Sequence, residues 1–278
     1  MKSISIKLVI LALLFTWFMT SCSENGEEES QYGTLSLRLT DAPFPTDEVL
    51  EANVTISKIE IRGKGEETKG SPFTTLSDEV SSYNLLDLTN GVTASLLSLE
   101  IPVGSYDLIR VYVSEASVVL NDGTTYDLFV PSGSSSGIKV FVSPSIDVAG
   151  GLTTDLLLDF DVAQSFVPQG NSTDGYNGFI FKPVIKGTNI STTGRLVGTV
   201  LDSLESPAIG AQITVYAGDT INTNSFTDDN GAYEVLGLEA GSYDVVYEYQ
   251  EYDSLVSEDI IIVAANATTN DAAFPSKD

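Results

Sequence analysis

The tripeptide Asp159-Phe160-Asp161 closes an apolar run, Leu156-Leu157-Leu158, and is the sharpest polar feature of the sequence. An apolar run of that length reads as a buried strand. Residues two apart on a strand share a face, which sets the two carboxylates about 7 Å apart. Two carboxylates so placed offer three kinds of chemistry. With backbone carbonyls and a third acid such as Asp155 they suit Ca²⁺, a hard cation that takes oxygen ligands. As an acid–base pair they suit glycoside cleavage. As structural groups they pair with Lys139, Arg110 or Lys182, or cap a turn before Ser165.

Other oxygen-rich segments are residues 171–178 (NSTDGYNG) and 227–231 (TDDNG). Both suit Ca²⁺ loops, but neither has the acid spacing of an EF-hand. Turn chemistry accounts for both, since Asn, Asp and Gly tolerate left-handed backbone. Of the 12 tyrosines, Tyr243, Tyr247 and Tyr249 share one strand face with Val245. They are expected in a core with their hydroxyls at its rim. Tyr252 lies beyond that strand between Glu251 and Asp253 and is expected to be an exposed aromatic platform for a ligand. Three triplets, Asp202-Ser203-Leu204, Asp219-Thr220-Ile221 and Asp253-Ser254-Leu255, resemble an O-glycosylation acceptor of some Bacteroidetes exported proteins. They make Ser203, Thr220 and Ser254 candidate glycosylation sites.

Composition narrows the chemistry. The 278 residues contain no His and one Cys. There is thus no Ser-His-Asp triad, no imidazole metal ligand, no intramolecular disulfide and no thiolate zinc site. There is no P-loop and no GxGxxG before a helix. A formal charge of −26 argues against nucleic-acid partners, whose phosphates need Lys and Arg. The expectation is a protein that is not an enzyme and carries no cofactor, Ca²⁺ being the one ion the residues could accommodate.

The N-terminus reads as an address. Residues 8–19 (LVILALLFTWFM) follow two Lys and hold one polar member, Thr16. The run is shorter than the roughly 20 residues needed to span a bilayer and fits the apolar region of an export signal. Small residues then precede Cys22. This resembles the lipobox of bacterial lipoproteins, with Met19 where a Leu is usual, and implies a signal peptide over 1–21 and lipidation of Cys22. Several acyl chains hold a protein firmly where one holds weakly. So acidic a chain has no basic patch for anionic lipid, so the lipid itself must anchor it. Residues 22–32 are acidic and poor in apolar residues, hence a solvated tether. The acidic stretch resembles the one that sends some Bacteroidetes lipoproteins to the outer face of the outer membrane; the periplasmic face is the alternative.

Two β units are expected after the tether, over 33–190 and 194–275. In the first, Leu35, Leu37 and Leu39 alternate, as do Val54 with Ile56 and Ile59 with Ile61. The phase slip between Ile56 and Ile59 predicts a β-bulge near Ser57-Lys58. Asn121-Asp122-Gly123 predicts a hairpin before a strand over 126–130 (YDLFV). Residues 92–99 (VTASLLSL) read as a helical turn or two. Short, regularly spaced strands argue for an antiparallel sandwich or barrel. In the second unit strands are expected at RLVGTVL, AQITVY, AYEVL, SYDVVYEY and IIIVA, enough for a seven-strand sandwich. The tetrapeptide Gly-Ser-Tyr-Asp occurs at 104–107 and at 241–244. In each the Tyr can return its hydroxyl to nearby backbone, as in a tyrosine corner.

Two resemblances fit this division. The blocks Gly198-Thr199-Val200-Leu201-Asp202, Pro207-Ala208-Ile209-Gly210-Ala211, residues 227–233 (TDDNGAY) and residues 238–245 (LEAGSYDV) resemble the carboxypeptidase regulatory-like domain. The resemblance implies a transthyretin-like sandwich, grouped by fold with carbohydrate-binding modules. Fold of that kind does not settle function. The blocks Leu39-Thr40-Asp41-Ala42-Pro43, residues 85–91 (LLDLTNG), Gly104-Ser105-Tyr106 with Ile109-Arg110, Ser136-Gly137-Ile138-Lys139, residues 159–165 (DFDVAQS) and Lys182-Pro183-Val184-Ile185 resemble a bacterial lipoprotein domain of unknown function, family 4382. That implies a location and no activity.

The sequence therefore predicts an all-β, two-domain, lipid-anchored protein of the outer membrane acting as a non-catalytic binding module, with a glycan or an envelope protein as partner. The alternatives are a structural or adhesive scaffold without a small ligand, and a Ca²⁺-dependent or carboxylate-based hydrolase. A sugar-binding groove should show an exposed aromatic on a concave face; a scaffold should show none.

Overall fold

The computed structural model describes residues 30–42, 48–67, 72–130, 135–171 and 175–276. The signal peptide and Cys22 lie outside the described residues, as do part of the 171–178 segment and all but the last residues of the tether. Residues 31–278 form one compact unit with two hydrophobic cores, one drawn from side chains between Leu35 and Phe181, the other from side chains between Leu196 and Phe274.

The strands around the first core are β1 (Tyr32–Ala42), β2 (Val49–Gly63), β3 (Phe73–Ser77), β4 (Ser81–Asn84), β5 (Ala94–Pro102), β6 (Gly104–Leu120), β7 (Thr125–Leu128), β8 (Ile138–Val148), β9 (Thr153–Asp161), β10 (Phe166–Asn171), β11 (Gly175–Phe181) and β12 (Ile185–Asn189). A 3₁₀ turn (Leu85–Leu88) and a one-turn helix α1 (Val162–Ser165) are the helical pieces among the described residues. Hydrogen bonding runs β3-β2-β6-β8-β12-β9-β1-β5, with β4 added to β2 and β7 to β6, while β10 and β11 form a separate hairpin. Most pairs are antiparallel; β1 with β9 and β8 with β12 are parallel.

The longest ribbon is β2 with β6, and it carries the predicted bulge. Ile56 pairs with Val113 and Lys58 with Tyr112, so Ser57 has no opposite residue; Thr55 pairs with Glu115, so Ser114 has none either. Each bulge turns its strand over by one residue. Val54, Ile56, Ile59 and Ile61 thereby all face the core, as do Val111, Val113, Ala116 and Val118. The Asn-Asp-Gly hairpin also forms: Leu120 N–H donates to the Thr124 carbonyl at 2.9 Å, and Asp122 accepts from Thr124 N at 2.8 Å.

Residues 92–99 are not helical. β5 begins at Ala94 and pairs with β1, Leu97 opposite Leu37 and Leu99 opposite Leu35. A short apolar run is ambiguous between helix and strand; the waiting flank of β1 decides it.

The second core is a sandwich, as expected. Its strands are β13 (Gly194–Leu201), β14 (Gln212–Ala217), β15 (Thr220–Phe226), β16 (Ala232–Leu238), β17 (Gly241–Glu248), β18 (Leu255–Ile262), β19 (Ala267–Thr269) and the two-residue β20 (Ala272–Ala273). One sheet runs β16-β13-β19 with β20 on β13, the other β15-β14-β17-β18. Val245 and Tyr247 point inward with Tyr243, as their alternation required.

Both Gly-Ser-Tyr-Asp segments are tyrosine corners. Tyr106 donates its hydroxyl to the Pro102 carbonyl at 2.8 Å, and Tyr243 donates to Glu239 at 3.0 Å, each four residues upstream. Each strand then slips register around the following Asp, at Tyr106/Leu108 and Tyr243/Val245. Tyr106→Phe and Tyr243→Phe should each lower unfolding stability by about 1 kcal/mol in urea titration, with far-ultraviolet dichroism unchanged.

Inside the second core Tyr233 donates to the Asn270 carbonyl at 2.6 Å, and Asn270 Nδ2 donates to the Tyr247 hydroxyl at 2.6 Å. Burial raises both phenols above their ordinary pKa. The folded chain then keeps protons that the unfolded chain releases near pH 10. The contribution is complete below that value and declines above it. Above about pH 10 this core should open, with tyrosinate absorbance rising together with loss of near-ultraviolet dichroism.

Candidate functional site

Asp161 sits where β9 stops and α1 starts. Its backbone is extended, and its Oδ1 accepts from Gln164 N at 2.9 Å, so it caps the helix. Asp159, two residues earlier, lies beside Thr40 of β1 and Lys186 of β12. It lines a narrow cleft between the two cores together with Lys186, Asn222 and Glu234. Asp155 is ion-paired with Arg38 at 3.2 Å. The two acids share a strand face as expected, with different neighbours. Arg110, a candidate partner for them, pairs instead with Glu60 at 3.4 Å. In the segment at 227–231, Asp228 accepts backbone N–H groups from Asn230 at 2.8 Å and Ala232 at 2.9 Å. These bonds hold its carboxyl below the ordinary range.

Tyr252 is half-buried rather than a free platform. It stacks on Tyr249 at 5.9 Å and packs on Phe274 at 5.1 Å, and its hydroxyl meets Ser203 Oγ at 2.9 Å. Turning the chain back after Tyr249 folds Tyr252 onto the same aromatic group that closes the sandwich. Of the three acceptor triplets, Thr220 and Ser254 are exposed and Ser203 is half-buried.

The two cores are joined by a side chain. Asn90 follows the 3₁₀ turn with a left-handed φ of 54°, and Gly91 has a φ of 78°. The Asn90 amide then lies along β16, the outermost strand of its sheet. Its Oδ1 accepts from Glu234 N at 2.6 Å, and its Nδ2 donates to the Ala232 carbonyl at 3.1 Å. It imitates the two hydrogen bonds of a neighbouring strand. Gly91 is left-handed, and a Cβ there would also stand 2.9 Å from Glu234 Cβ, so the position favours Gly. Thr40 holds the turn from below, donating to Leu88 O at 2.9 Å. Leu157, on the outward face of β9, is 2% exposed and lines the cleft that the second core closes.

A second feature lies on the outward face of β2 and β6, beyond the bulges. Asn53, Ser117 and Asp127 form one row across β2, β6 and β7, with Thr55 and Glu115 in the next row. They line a shallow groove whose side is Phe129. The Phe129 ring is 84% exposed, more than any other large apolar side chain described. Sequence reasoning took 126–130 as a strand and missed this residue. The alternation itself held the signal, because Tyr126, Leu128 and Val130 pack against the core and so send Asp127 and Phe129 outward.

The family model described as a domain of unknown function, DUF4382, matches residues 32–183. The chain belongs to this family. A model described as the carboxypeptidase regulatory-like domain matches residues 195–275, in the order the sequence blocks implied. No curated protein matches. Among solved structures, the Bacillus anthracis TIE protein is 12% identical over 87% of this chain with a TM-score of 0.28; the chain spans 40% of that protein's length. BcpA, the major pilin subunit of Bacillus cereus, is 10% identical over 88% of this chain and 71% of its own, with a TM-score of 0.26. The shaft pilin SpaA of Lactobacillus rhamnosus GG is 12% identical over 88% of this chain and 99% of its own, with a TM-score of 0.27.

The DUF4382 blocks explain the joint. Thr40 and Asp41, the turn ending in Asn90-Gly91, the Asp161 cap and the Lys182-Pro183-Val184 segment meet at one end of the first core. Asp41 Oδ1 accepts from Val162 N at 3.0 Å, and Ser165 Oγ accepts from Val184 N at 2.9 Å. Asn90→Ala removes both bonds to β16 and should cost about 1–3 kcal/mol. Hydrogen exchange should speed up at the Glu234 amide well before the rest of β16.

Proposed function

We propose that the chain is a non-catalytic binding module of the cell envelope, held at the outer membrane by lipid on Cys22 and displayed outward on its acidic tether, with a glycan or an envelope protein as partner. The joint at Asn90 carries this reading. It makes two β cores one body, the form suited to holding a surface away from a membrane. The sequence's candidate carboxylates serve that body: Asp161 caps a helix, Asp155 pairs with Arg38. The exposed aromatic in a groove separates a binding module from a scaffold that only spaces one domain from another, and it favours binding.

The anchor and the display are tested together. The wild type should incorporate radiolabelled palmitate, enter the detergent phase of a Triton X-114 partition and disappear from intact cells treated with protease. Cys22→Ala should be unlabelled and found in the soluble fraction. Retention of the variant in the membrane would defeat the anchor; protection of the wild type in intact cells would defeat outward display.

A further inference from the structure

We infer that the groove beside Phe129 is a subsite for a neutral saccharide, with the ring stacking on one sugar face and Asn53, Glu115 and Asp127 taking its hydroxyls. This rests on the reading of the chain as a binding module and names its ligand class.

Phe129 comes first. An aromatic ring 84% exposed on a folded protein is an apolar surface left in water. A pyranose presents an apolar face of C–H groups, whose hydrogens carry slight positive charge, to the negative face of such a ring. The same sugar presents hydroxyls around its rim. Those need acceptors and donors beside the aromatic, not beneath it.

The groove supplies them. The side chains of Glu115 and Asp127 make no hydrogen bond or ion pair among the described residues, so their oxygens are available to accept. Asn53 gives one N–H to Glu51 Oε2 at 2.8 Å, which orients its amide and leaves other positions open. Thr55 and Ser82 hold one another at 2.8 Å. The groove floor is thus set by strand pairing rather than by mobile side chains, which limits the ordering cost of binding.

Charge decides between ligand classes. No Lys or Arg lines the groove, while two carboxylates do, on a chain of net charge −26. Uronates, sialates and phosphates are repelled. A protein hot spot clusters Trp, Tyr and Arg in a desolvated centre; here a single ring stands among hydroxyls, an amide and carboxylates. A basic peptide drawn by Glu115 and Asp127 is the competing occupant, and the test includes it.

The mature full-length protein is run in native gels containing neutral polysaccharides (glucan, xylan, mannan and galactan) or polygalacturonate, and titrated with oligolysine. At least one neutral polysaccharide should retard it, with no retardation by polygalacturonate. Phe129→Ala should weaken that binding about tenfold or more and Phe129→Trp should keep it, with unchanged near-ultraviolet dichroism in both. Asp127→Asn and Glu115→Gln should each weaken it several-fold, since a carboxylate accepts more strongly than an amide. Tyr252→Phe, in the other core, should bind as the wild type. Failure of the whole neutral panel overturns the saccharide subsite, as does equal binding by Phe129→Ala, or tighter binding of oligolysine through the same residues. None of these results touches palmitate labelling or protease shaving, so the display reading stands or falls separately.

Discussion

Two extra residues, Ser57 in β2 and Ser114 in β6, sit at nearly the same level of one long ribbon. A strand alternates its faces without exception, so a one-residue insertion in one strand alone would bury polar groups along half its length. Inserted in both strands, it keeps the core continuous and exchanges what is displayed outside. On one side of the bulges the outward face carries Lys58, Glu60, Arg62, Arg110 and Tyr112. There Lys58 lies 3.9 Å from the Tyr112 ring centre and Arg110 lies 3.6 Å from that of Phe73, while Arg62 pairs with Asp107 at 2.9 Å. On the other side the same two strands carry Asn53, Thr55, Glu115 and Ser117, without a cation. A net-acidic molecule thus sets three of its 13 Lys and Arg together on one half of this ribbon and leaves the other half polar, negative and open.

The second constraint is the joint. An amide side chain is the group that most closely copies a peptide bond, offering one acceptor and a donor in the same plane. Asn90 meets β16 with both, so the first unit in effect contributes one rung of a strand to the second. The linker reinforces this: Ile190 N donates to Asp155 O at 3.0 Å, and Ser191 Oγ accepts from Asp155 N at 2.8 Å. Gly194 is required next to it, because a Cβ there would stand 2.5 Å from Val263 O. Fold resemblance on its own says little about chemistry, but here the blocks that carry it turn out to be the parts that fix geometry.

Much of the architecture was legible because it rests on local rules. Alternation gave the strands, the phase slip gave the bulge, Asn-Asp-Gly gave its hairpin, and the repeated Gly-Ser-Tyr-Asp gave both tyrosine corners. The run at 92–99 was misread because its alternation, Leu97-Leu99-Ile101, completes only beyond the window, and its partner β1 lies some sixty residues earlier. The cap at Asp161 was among the readings open to the sequence; the cleft around Asp159 was not, since half of its walls come from β15 and β16. Tyr252 was expected outside because its sequence neighbours are acidic, yet contact with Tyr249 and Phe274 is non-local. Phe129 was not singled out, although Tyr126, Leu128 and Val130 take the inner positions of its segment and so leave it outward.

The Asn90 contact also has a consequence for crowding. The last strand of an open sheet exposes unsatisfied peptide groups to which another chain can add, the first step toward domain swapping or fibrils. Molecules held side by side in one plane, as the proposed anchor would hold this chain, meet each other far more often than in free solution. On β16 the outward N–H of Glu234 and carbonyl of Ala232 are already occupied from within the same molecule, and Ser225 Oγ takes the Glu234 carbonyl at 3.3 Å. The contact that holds the two cores together therefore also closes one sticky margin against self-association.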